Sequence, residues 1–364
     1  MQKGWESVGK QTILFTGGGT AGHVVVNLAL IPEFLKEGYD VHYVGSYEGI
    51  ERELIEGLSG VTYHAISTGK LRRYLSKENI KDPFKVLKGV YQSNRLIKKI
   101  KPSIVFSKGG FVSVPVVIAS KFQKVPAIIH ESDLTPGLAN KVASKFARFV
   151  LTNFPETVKY LPEEKAKYVG AIIREELFQG SRERAYELTG FTQAKPVLMV
   201  MGGSVGSVKM NEAIRGELKT LTEKFQIIHL CGKGNIDSSI HQEGYVQYEY
   251  VTDGLKDLLA MSDIVISRAG ANSIFEFLAL RKPMLLIPLS LQASRGDQLL
   301  NAESFEKQGF AAVLQEENLD GERLVNHVNE LYHDRFSYKD QMAKFEPRKT
   351  KDDVIQLIKE TMKK

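Results

Sequence analysis

The sequence predicts an α/β protein built from two doubly wound parallel-sheet domains, and three features of the chain support this. Short apolar runs alternate with longer amphipathic segments, as in parallel sheets covered by helices on both faces. Glycine-rich turns directly follow several of the apolar runs. The order strand, glycine turn, helix occurs twice, in ILFTGGGTAGH near the start and in VLMVMGGSVGS after Pro196. A length of 364 residues suits two domains.

The predicted strands are apolar runs that fall into two series. The first series comprises Thr12–Phe15, Val41–Val44, Ile104–Phe106, Ala127–Ile129 and Phe149–Leu151, and the second comprises Val197–Met201, Gln226–Leu230, Ile264–Ile266 and Met284–Ile287. Helices are predicted between them, for example at 27–37, 211–224 and 271–280. A polar stretch at about 169–195 separates the series, and the last helix, 352–362, is expected to return to the first domain. We therefore expect one domain at 11–168 with 346–364, and another at 169–345.

Composition narrows the cellular setting and the partners. The single cysteine, Cys231, excludes a disulfide framework and any multi-cysteine metal site, which favours a reducing compartment. The first residues lack the apolar core of a signal peptide, and no apolar stretch of about 18 residues is long enough to span a membrane. We expect a protein that is cytosolic or attached to a membrane from the cytosolic side. The net charge of +6 favours anionic partners.

Much of this charge lies in residues 70–101, which contain eleven bases and two acids. A solvated helix face is the simpler interpretation, and a surface for an anionic membrane is the alternative. In the second interpretation the membrane-facing residues are Leu71, Arg72, Arg73, Tyr74, Leu75 and Lys77. Leu87, Val90 and Ile97 are predicted to be core residues, and Asp82-Pro83 is predicted to cap and begin a helix.

Three glycine-rich turns at strand ends indicate a diphosphate ligand or two phosphorylated ligands, since glycines let the backbone approach a phosphate. They lie at 17–22, 107–111 and 202–207. Gly17, Gly19 and Gly22 also match the dinucleotide fingerprint, but Gly45 and Ser46 stand where its ribose-binding acid is expected. No Gly-Lys-Ser/Thr follows the first turn, which argues against a Walker P-loop.

Two further segments fit a nucleotide sugar. The segment 267–276 joins a strand end to a helix carrying Glu276, whose carboxylate could accept both hydroxyls of a ribose or could be an ordinary helix glutamate. Downstream stands a polar cluster suited to sugar hydroxyls, comprising Gln292, Ser294, Arg295, Asp297, Gln298 and Asn301. A polar loop with Asp297 as a helix cap is the alternative.

Five motifs in this order, FTGGGTAGHV, FSKGGFVSVP, IIHESDLTPGLANK, VMGGSVGS and SRAGANSIFEFLAL, closely resemble the MurG family of lipid I N-acetylglucosaminyltransferases (glycosyltransferase family 28) over nearly the whole chain. The resemblance implies the GT-B architecture, with two Rossmann-like domains facing a central cleft. It implies inverting transfer of GlcNAc from UDP-GlcNAc to the MurNAc 4-hydroxyl of undecaprenyl-pyrophosphoryl-MurNAc-pentapeptide (lipid I), giving lipid II for peptidoglycan. It also implies a peripheral protein on the cytoplasmic side of the cell membrane, without a cofactor, an obligatory metal or a nucleic-acid partner.

The resemblance also assigns site residues. His23 is implied as the general base, and Glu131 is the alternative candidate for that role. The residues assigned to the acceptor diphosphate are Gly18, Gly19, Gly109 and Gly110. Residues implied to contact UDP-GlcNAc are Thr20, Ala21, Gly22, Asp133, Arg174, Ser204, Val251, Ala271, Asn272, Ser273, Ile274, Phe275, Glu276 and Gln298. The chain departs from the family pattern at Asp133, where the family has asparagine, and at Asp297, where it can have glutamine. A carboxylate accepts from sugar hydroxyls but does not donate as an amide does.

Three alternatives remain at this point. A non-hydrolysing UDP-GlcNAc 2-epimerase would share the fold and the nucleotide. An NAD-dependent oxidoreductase is opposed by the missing ribose-binding acid. A non-enzymatic basic module for RNA or lipid would explain the charge but not the three glycine turns beside a sugar-type polar cluster.

Overall fold

The computed structural model describes residues 11–69, 78–203, 206–345 and 351–363, and these fall into two compact units. The first unit runs to Ile172 and includes the C-terminal helix, and the second begins at Ile173. The division lies a few residues after the expected one because Val169 and Ile172 still pack in the core of the first sheet.

The first unit is a seven-stranded parallel sheet with helices on both faces. Its elements are β1 (Thr12–Thr16), α1 (Val25–Lys36), β2 (Asp40–Ser46), α2 (Ile50–Glu56), β3 (Val61–Ile66), α3 (Glu78–Ile100), β4 (Ile104–Ser107), α4 (Ser113–Phe122), β5 (Ala127–Glu131), α5 (Leu138–Ala143), β6 (Phe149–Thr152) and β7 (Ala166–Tyr168). The strand order is β3-β2-β1-β4-β5-β6-β7. The order reverses between β1 and β4, and ligands of such sheets bind at the carboxyl ends of the strands beside that point.

The second unit is a six-stranded parallel sheet in the order β10-β9-β8-β11-β12-β13, so its order reverses between β8 and β11. Its elements are α6 (Arg182–Thr189), β8 (Val197–Met201), α7 (Val208–Gly216), α8 (Leu218–Lys224), β9 (Gln226–Leu230), β10 (Tyr245–Tyr248), α9 (Leu255–Met261), β11 (Ile264–Ser267), α10 (Ala271–Ala279), β12 (Met284–Leu286), α11 (Asp297–Lys307), β13 (Ala311–Val313), α12 (Gly321–His333) and α13 (Arg335–Ala343). Two doubly wound parallel sheets are the predicted fold class.

The last helix, α14 (Lys351–Met362), belongs to the first unit. Val354 and Ile358 lie fully within the first core, and Lys351 makes a 2.9 Å ion pair with Glu33 of α1. The last helix therefore packs against the core of the first sheet. No helix within the described ranges is both long and apolar enough to cross a membrane.

The structure corrects three local predictions. Helix α3 already includes residue 78, so Asp82-Pro83 does not begin it. Pro83 lies inside the helix, where it cannot donate a backbone hydrogen bond. Leu87 is not a core residue, because its side chain is 66% exposed on the outer face of α3. The helix predicted at 211–224 is two helices, α7 and α8, which are divided at Glu217 directly after Gly216, a poor helix former.

Candidate functional site

In the first unit, two of the glycine turns touch each other across the point where the strand order reverses. The backbone amide of Gly18, after β1, donates to the carbonyl of Gly109, after β4, at 3.3 Å. A Cβ on Gly110 would lie 2.1 Å from the carbonyl oxygen of Gly18, and Gly110 has a φ of 81°. Only glycine permits this approach, which concentrates backbone groups at the carboxyl edge of the sheet.

Glu51 holds the first turn in place, and sequence reasoning missed it. This α2 side chain is buried and accepts hydrogen bonds from the backbone amides of Gly19 and Ser46, each at 3.0 Å, and from the Ser46 hydroxyl. Burial alone would raise the pKa of this carboxyl, but the bonds from Ser46 and Gly19 bring it below its usual value.

His23 ends a short 3₁₀ turn, Ala21–His23, that includes Gly22. Its Nδ1 lies 3.1 Å from the carbonyl oxygen of Gly18 and 3.1 Å from Oγ1 of Thr20. Because a carbonyl only accepts, the bond to Gly18 fixes the proton on Nδ1 and leaves the lone pair on Nε2 in the neutral ring. The first turn thus sets the tautomer that general-base chemistry requires.

Glu131 is fully engaged with the loop that follows it. One carboxylate oxygen accepts from the backbone amide of Asp133 at 3.0 Å, and the other accepts from the amide of Gly137 at 3.0 Å and from Nδ2 of Asn140 at 2.9 Å. Burial raises the pKa of Glu131, and Asp133 raises it further. This arrangement fixes the path of residues 131–140. The side chain of Asp133 itself is partly exposed.

The glycine turn at 107–111 contains a buried lysine. Lys108, at the end of β4, is 2% exposed, and its ammonium donates to the hydroxyl of Ser132 at 2.6 Å. Burial lowers its pKa, while Glu131 and Asp133 oppose that change. The positive charge, carried on the glycine turn at 107–111, is therefore directed to the loop after β5.

In the second unit, the described part of the glycine turn after β8 is supported by buried polar groups. A Cβ on Gly206, whose φ is 80°, would lie 2.0 Å from the carbonyl oxygen of Cys231. The Ser207 hydroxyl caps α7 and accepts a bond from Arg268 at 2.6 Å. Arg268 also pairs with the carboxylate of Glu316, and both side chains are nearly buried. Arg268 and Glu316 were not among the predicted site residues. Ser204 lies outside the described residues.

Arg174 and Glu276 form a two-bond ion pair. Nε of Arg174 donates to one oxygen of Glu276 at 2.9 Å, and Nη2 donates to the other at 3.1 Å. Glu276 lies on α10, and Arg174 begins the 3₁₀ turn Glu175–Gln179. Arg174 and Glu276, both implied by the resemblance to contact UDP-GlcNAc, therefore bind each other here.

The other residues of this unit that are implied to contact UDP-GlcNAc differ in whether their side chains are exposed. Ile274 and Phe275 are buried, and Phe275 packs edge-on against Phe305, so their side chains belong to the core and only the helix backbone can face a ligand. Asn272, Ser273 and Val251 are partly exposed, whereas Ala271 is buried. Gln298 accepts from the Leu289 amide at 3.1 Å. Asp297 pairs with Arg295 at 3.2 Å, and Gly296, not Asp297, is the cap of α11.

The predicted membrane-facing residues at 71–77 lie outside the described part of the chain. The described part of the basic segment, α3, presents Phe84, Leu87 and Tyr91 at 66–71% exposure. Helical spacing places Lys88 and Arg95 on the same face, and both are exposed. Across the described residues, no cluster of three or more His, Cys, Asp or Glu side chains is arranged to hold a metal ion.

Both units match one enzyme family. Residues 13–152 match the glycosyltransferase family 28 N-terminal domain, and residues 197–358 match the glycosyltransferase family 28 C-terminal domain. Among solved structures, Acinetobacter baumannii MurG superposes with a TM-score of 0.74 at 23% identity, covering 96% of this chain and 99% of that one. The calicheamicin glycosyltransferase CalG4 superposes with a TM-score of 0.72 at 12% identity, covering 98% and 99%. These two likenesses concern the fold.

Curated relatives match over nearly their whole length. One from Oceanobacillus iheyensis is 60% identical over 96% of this chain and 98% of its own. Others from Geobacillus thermodenitrificans and Staphylococcus haemolyticus are 57% and 55% identical, over 97% and 95% of this chain and 99% and 98% of their own. All three are named UDP-N-acetylglucosamine--N-acetylmuramyl-(pentapeptide) pyrophosphoryl-undecaprenol N-acetylglucosamine transferase. The chain therefore belongs to glycosyltransferase family 28.

Proposed function

We propose that this protein transfers GlcNAc from UDP-GlcNAc to the MurNAc 4-hydroxyl of lipid I, giving lipid II. The observation that carries the proposal is the 60% identity, over 96% of the chain, to a relative named for this reaction. The site geometry is compatible with it, because each sheet carries glycine turns at the carboxyl ends of its strands. The curated relatives described above are all named as transferases, which leaves the epimerase alternative without support.

We assign the donor to the second domain, residues 169–345. Glu276 lies on α10, and its carboxylate is the group that can accept from a ribose diol. Arg174 and the turn at 202–207 supply positive potential for the diphosphate, and this potential stabilises the charge that develops on departing UDP. Gln298 binds the Leu289 amide through its oxygen, so its NH₂ group is the donor for a sugar hydroxyl.

We assign the acceptor to the first domain, residues 11–168 with 346–364. The paired turns bring Gly18, Gly19, Gly109 and Gly110 together at the carboxyl edge of the sheet, where the family resemblance places the acceptor diphosphate. The amides of Gly18 and Gly19 already donate to Gly109 and Glu51, so a diphosphate here must exchange with these bonds or bind beside them. Thr20 and Gly22 adjoin this surface.

We infer that His23 is the general base and that Glu131 positions the loop. The Nδ1 bond of His23 to Gly18 leaves Nε2 as the basic nitrogen, whereas both oxygens of Glu131 accept bonds within its own loop. His23 takes the proton of the 4-hydroxyl, the hydroxyl oxygen attacks the anomeric carbon, and the bond to UDP breaks with its electron pair leaving on the diphosphate. One such displacement converts the α-linked donor into a β-linked product.

We propose that α3 docks the protein on the anionic cytoplasmic face of the cell membrane, where the lipid-linked acceptor resides. Phe84, Leu87 and Tyr91 form an exposed apolar ridge, and Lys88 and Arg95 lie on the same face of the helix. Apolar side chains beside bases suit an anionic interface. Charge reversal at Arg72, Arg73 and Lys77 tests whether residues 71–77 extend this surface, and unchanged binding to anionic liposomes would exclude them.

The function is tested by incubating the protein with UDP-GlcNAc and a short-chain lipid I analogue and determining the linkage of the product by NMR. The proposal expects a β(1→4) disaccharide and free UDP in equal amounts. His23→Ala should lower kcat by about two to four orders of magnitude, whereas loss of His23 without a rate effect would remove it as the base. UDP-ManNAc formed without acceptor would instead identify the epimerase.

A further inference from the structure

The Arg174 guanidinium and the Glu276 carboxylate bind each other directly. The two residues are 102 positions apart, so their contact is made by the fold of the second unit and not by local sequence. Bonds of 2.9 and 3.1 Å join one edge of the guanidinium to both carboxylate oxygens. This fork geometry is the strongest form of an arginine–carboxylate contact.

The pair is well sheltered from water. The Glu276 side chain is 10% exposed and that of Arg174 is 25% exposed. Arg174 also lies 3.5 Å from Glu176, whose side chain is 64% exposed. The guanidinium thus has two carboxylates beside it, and a diphosphate that approaches the same edge competes with both for its positive charge.

The same contact lies across the edge of Glu276 that a ribose diol would use. A diol that approaches this edge needs one lone pair on each carboxylate oxygen, and the guanidinium already uses those two lone pairs. A nucleoside without phosphates that binds at this edge therefore breaks the pair and leaves Arg174 with Glu176 as its remaining carboxylate. A nucleoside diphosphate supplies a replacement anion for the guanidinium while its ribose takes the carboxylate.

We propose that the Arg174–Glu276 pair is a latch that makes recognition of the ribose and of the diphosphate depend on each other. The inference rests on the proposed nucleotide site and adds a specificity device to it. A ligand carrying both groups exchanges the ion pair for two new contacts, whereas uridine or inorganic diphosphate alone satisfies only one partner. Because such coupling is reciprocal, removing either residue should improve binding of the fragment that the remaining residue recognises.

The test is calorimetric binding of uridine, inorganic diphosphate and UDP at pH 8 and low ionic strength. Arg174→Met keeps the packing of the side-chain stem and removes the charge, so it should tighten uridine binding about fivefold while weakening UDP binding at least about tenfold. Glu276→Gln should tighten inorganic diphosphate binding by a similar factor while weakening UDP binding. Arg174→Lys, which keeps a single ion pair, should change uridine binding less than Arg174→Met does.

Glu176→Gln is the matched control, because it removes a charge beside Arg174 without breaking the fork, and it should change uridine binding less than twofold. The latch is overturned if wild type binds UDP but neither uridine in Arg174→Met nor diphosphate in Glu276→Gln binds more tightly than in wild type. Failure of wild type to bind UDP would overturn the proposed nucleotide site itself, and the latch with it. Thermal unfolding of each variant identifies a folding defect. If either Arg174→Met or Glu276→Gln is misfolded, the binding data for the other variant decide whether the latch exists.

Discussion

Glu51→Gln should destabilise the first unit and raise the KM for the lipid acceptor, and it should leave UDP affinity unchanged. The buried carboxylate accepts from two backbone amides and one hydroxyl. Hydrogen bonds to a charged group contribute about 1.5–3 kcal/mol each, compared with about 1 kcal/mol between neutral groups. The amide also directs NH₂ towards donors, so we expect a loss of about 2–4 kcal/mol, which lowers Tm by about 5–15 °C for a unit of this size.

The pH dependence follows from the lowered pKa of Glu51. The group contributes its full stabilisation above its unfolded value, near 4.5, and loses it as the pH falls through the lower folded value. The wild type should therefore lose stability over this acidic window, and Glu51→Gln should lose less. Since the carboxylate holds the amide of Gly19, KM for the lipid acceptor should rise while UDP affinity is unchanged.

The assay is thermal unfolding from pH 3 to 8, together with transfer kinetics in which each substrate is varied. Glu56→Gln is the matched control on the same helix, because Glu56 is half exposed and pairs only with Arg52. An exposed pair of this kind contributes at most about 1 kcal/mol. If Glu51→Gln matched Glu56→Gln in Tm and in lipid KM, the reasoning about the first turn would be refuted.

Three further outcomes are expected. Replacing Phe84, Leu87 and Tyr91 together by serine should weaken binding to anionic liposomes by at least about a hundredfold in a co-sedimentation assay. Phe336→Ser is the control for loss of an exposed phenylalanine. Liposome binding equal to that of the wild type would contradict the proposed membrane surface on α3. Gly110→Ala should abolish transfer, because its Cβ would overlap the Gly18 carbonyl. Gly38 has the same φ of 81°, but no atom lies within 4 Å of the position of its Cβ. Gly38→Ala should therefore cost about 1 kcal/mol of stability and leave transfer intact. Arg268→Met should lower the Tm and weaken UDP binding, because it leaves Glu316 buried without its arginine partner. Adding Glu316→Gln should restore part of the Tm and part of the UDP affinity. If neither is restored, the Arg268–Glu316 pair does not support the glycine turn after β8.

The inner strands of both sheets could be predicted from the sequence, and the edge strands could not. The nine predicted runs correspond to β1, β2, β4, β5 and β6 in one sheet and β8, β9, β11 and β12 in the other. The missed strands, β3, β7, β10 and β13, lie at the four sheet edges. An edge strand is less enclosed, so segments such as VTYHAI and YVQY alternate apolar and polar residues instead of forming a continuous apolar run.

The glycine turns and several side chains of the candidate site could be predicted because the residue type itself carries the signal. Gly110 and Gly206 mark positions where another backbone approaches closely. Glu51, Arg268 and Glu316 carried no such signal, since their importance comes from tertiary partners at distant positions. The Arg174–Glu276 contact was missed for the same reason, although both residues were assigned to the site separately.

Transfer of radiolabelled GlcNAc from UDP-GlcNAc to a short-chain lipid I analogue, with the KM of each substrate determined for wild type and Glu276→Ala, tests the central claim most directly. The account predicts labelled lipid with wild type, and with Glu276→Ala a KM for UDP-GlcNAc raised by at least about tenfold at a nearly unchanged KM for the lipid. An unlabelled acceptor in the presence of bound UDP-GlcNAc would contradict the proposed reaction. A raised lipid KM with an unchanged UDP-GlcNAc KM would contradict the assignment of the donor to the second domain.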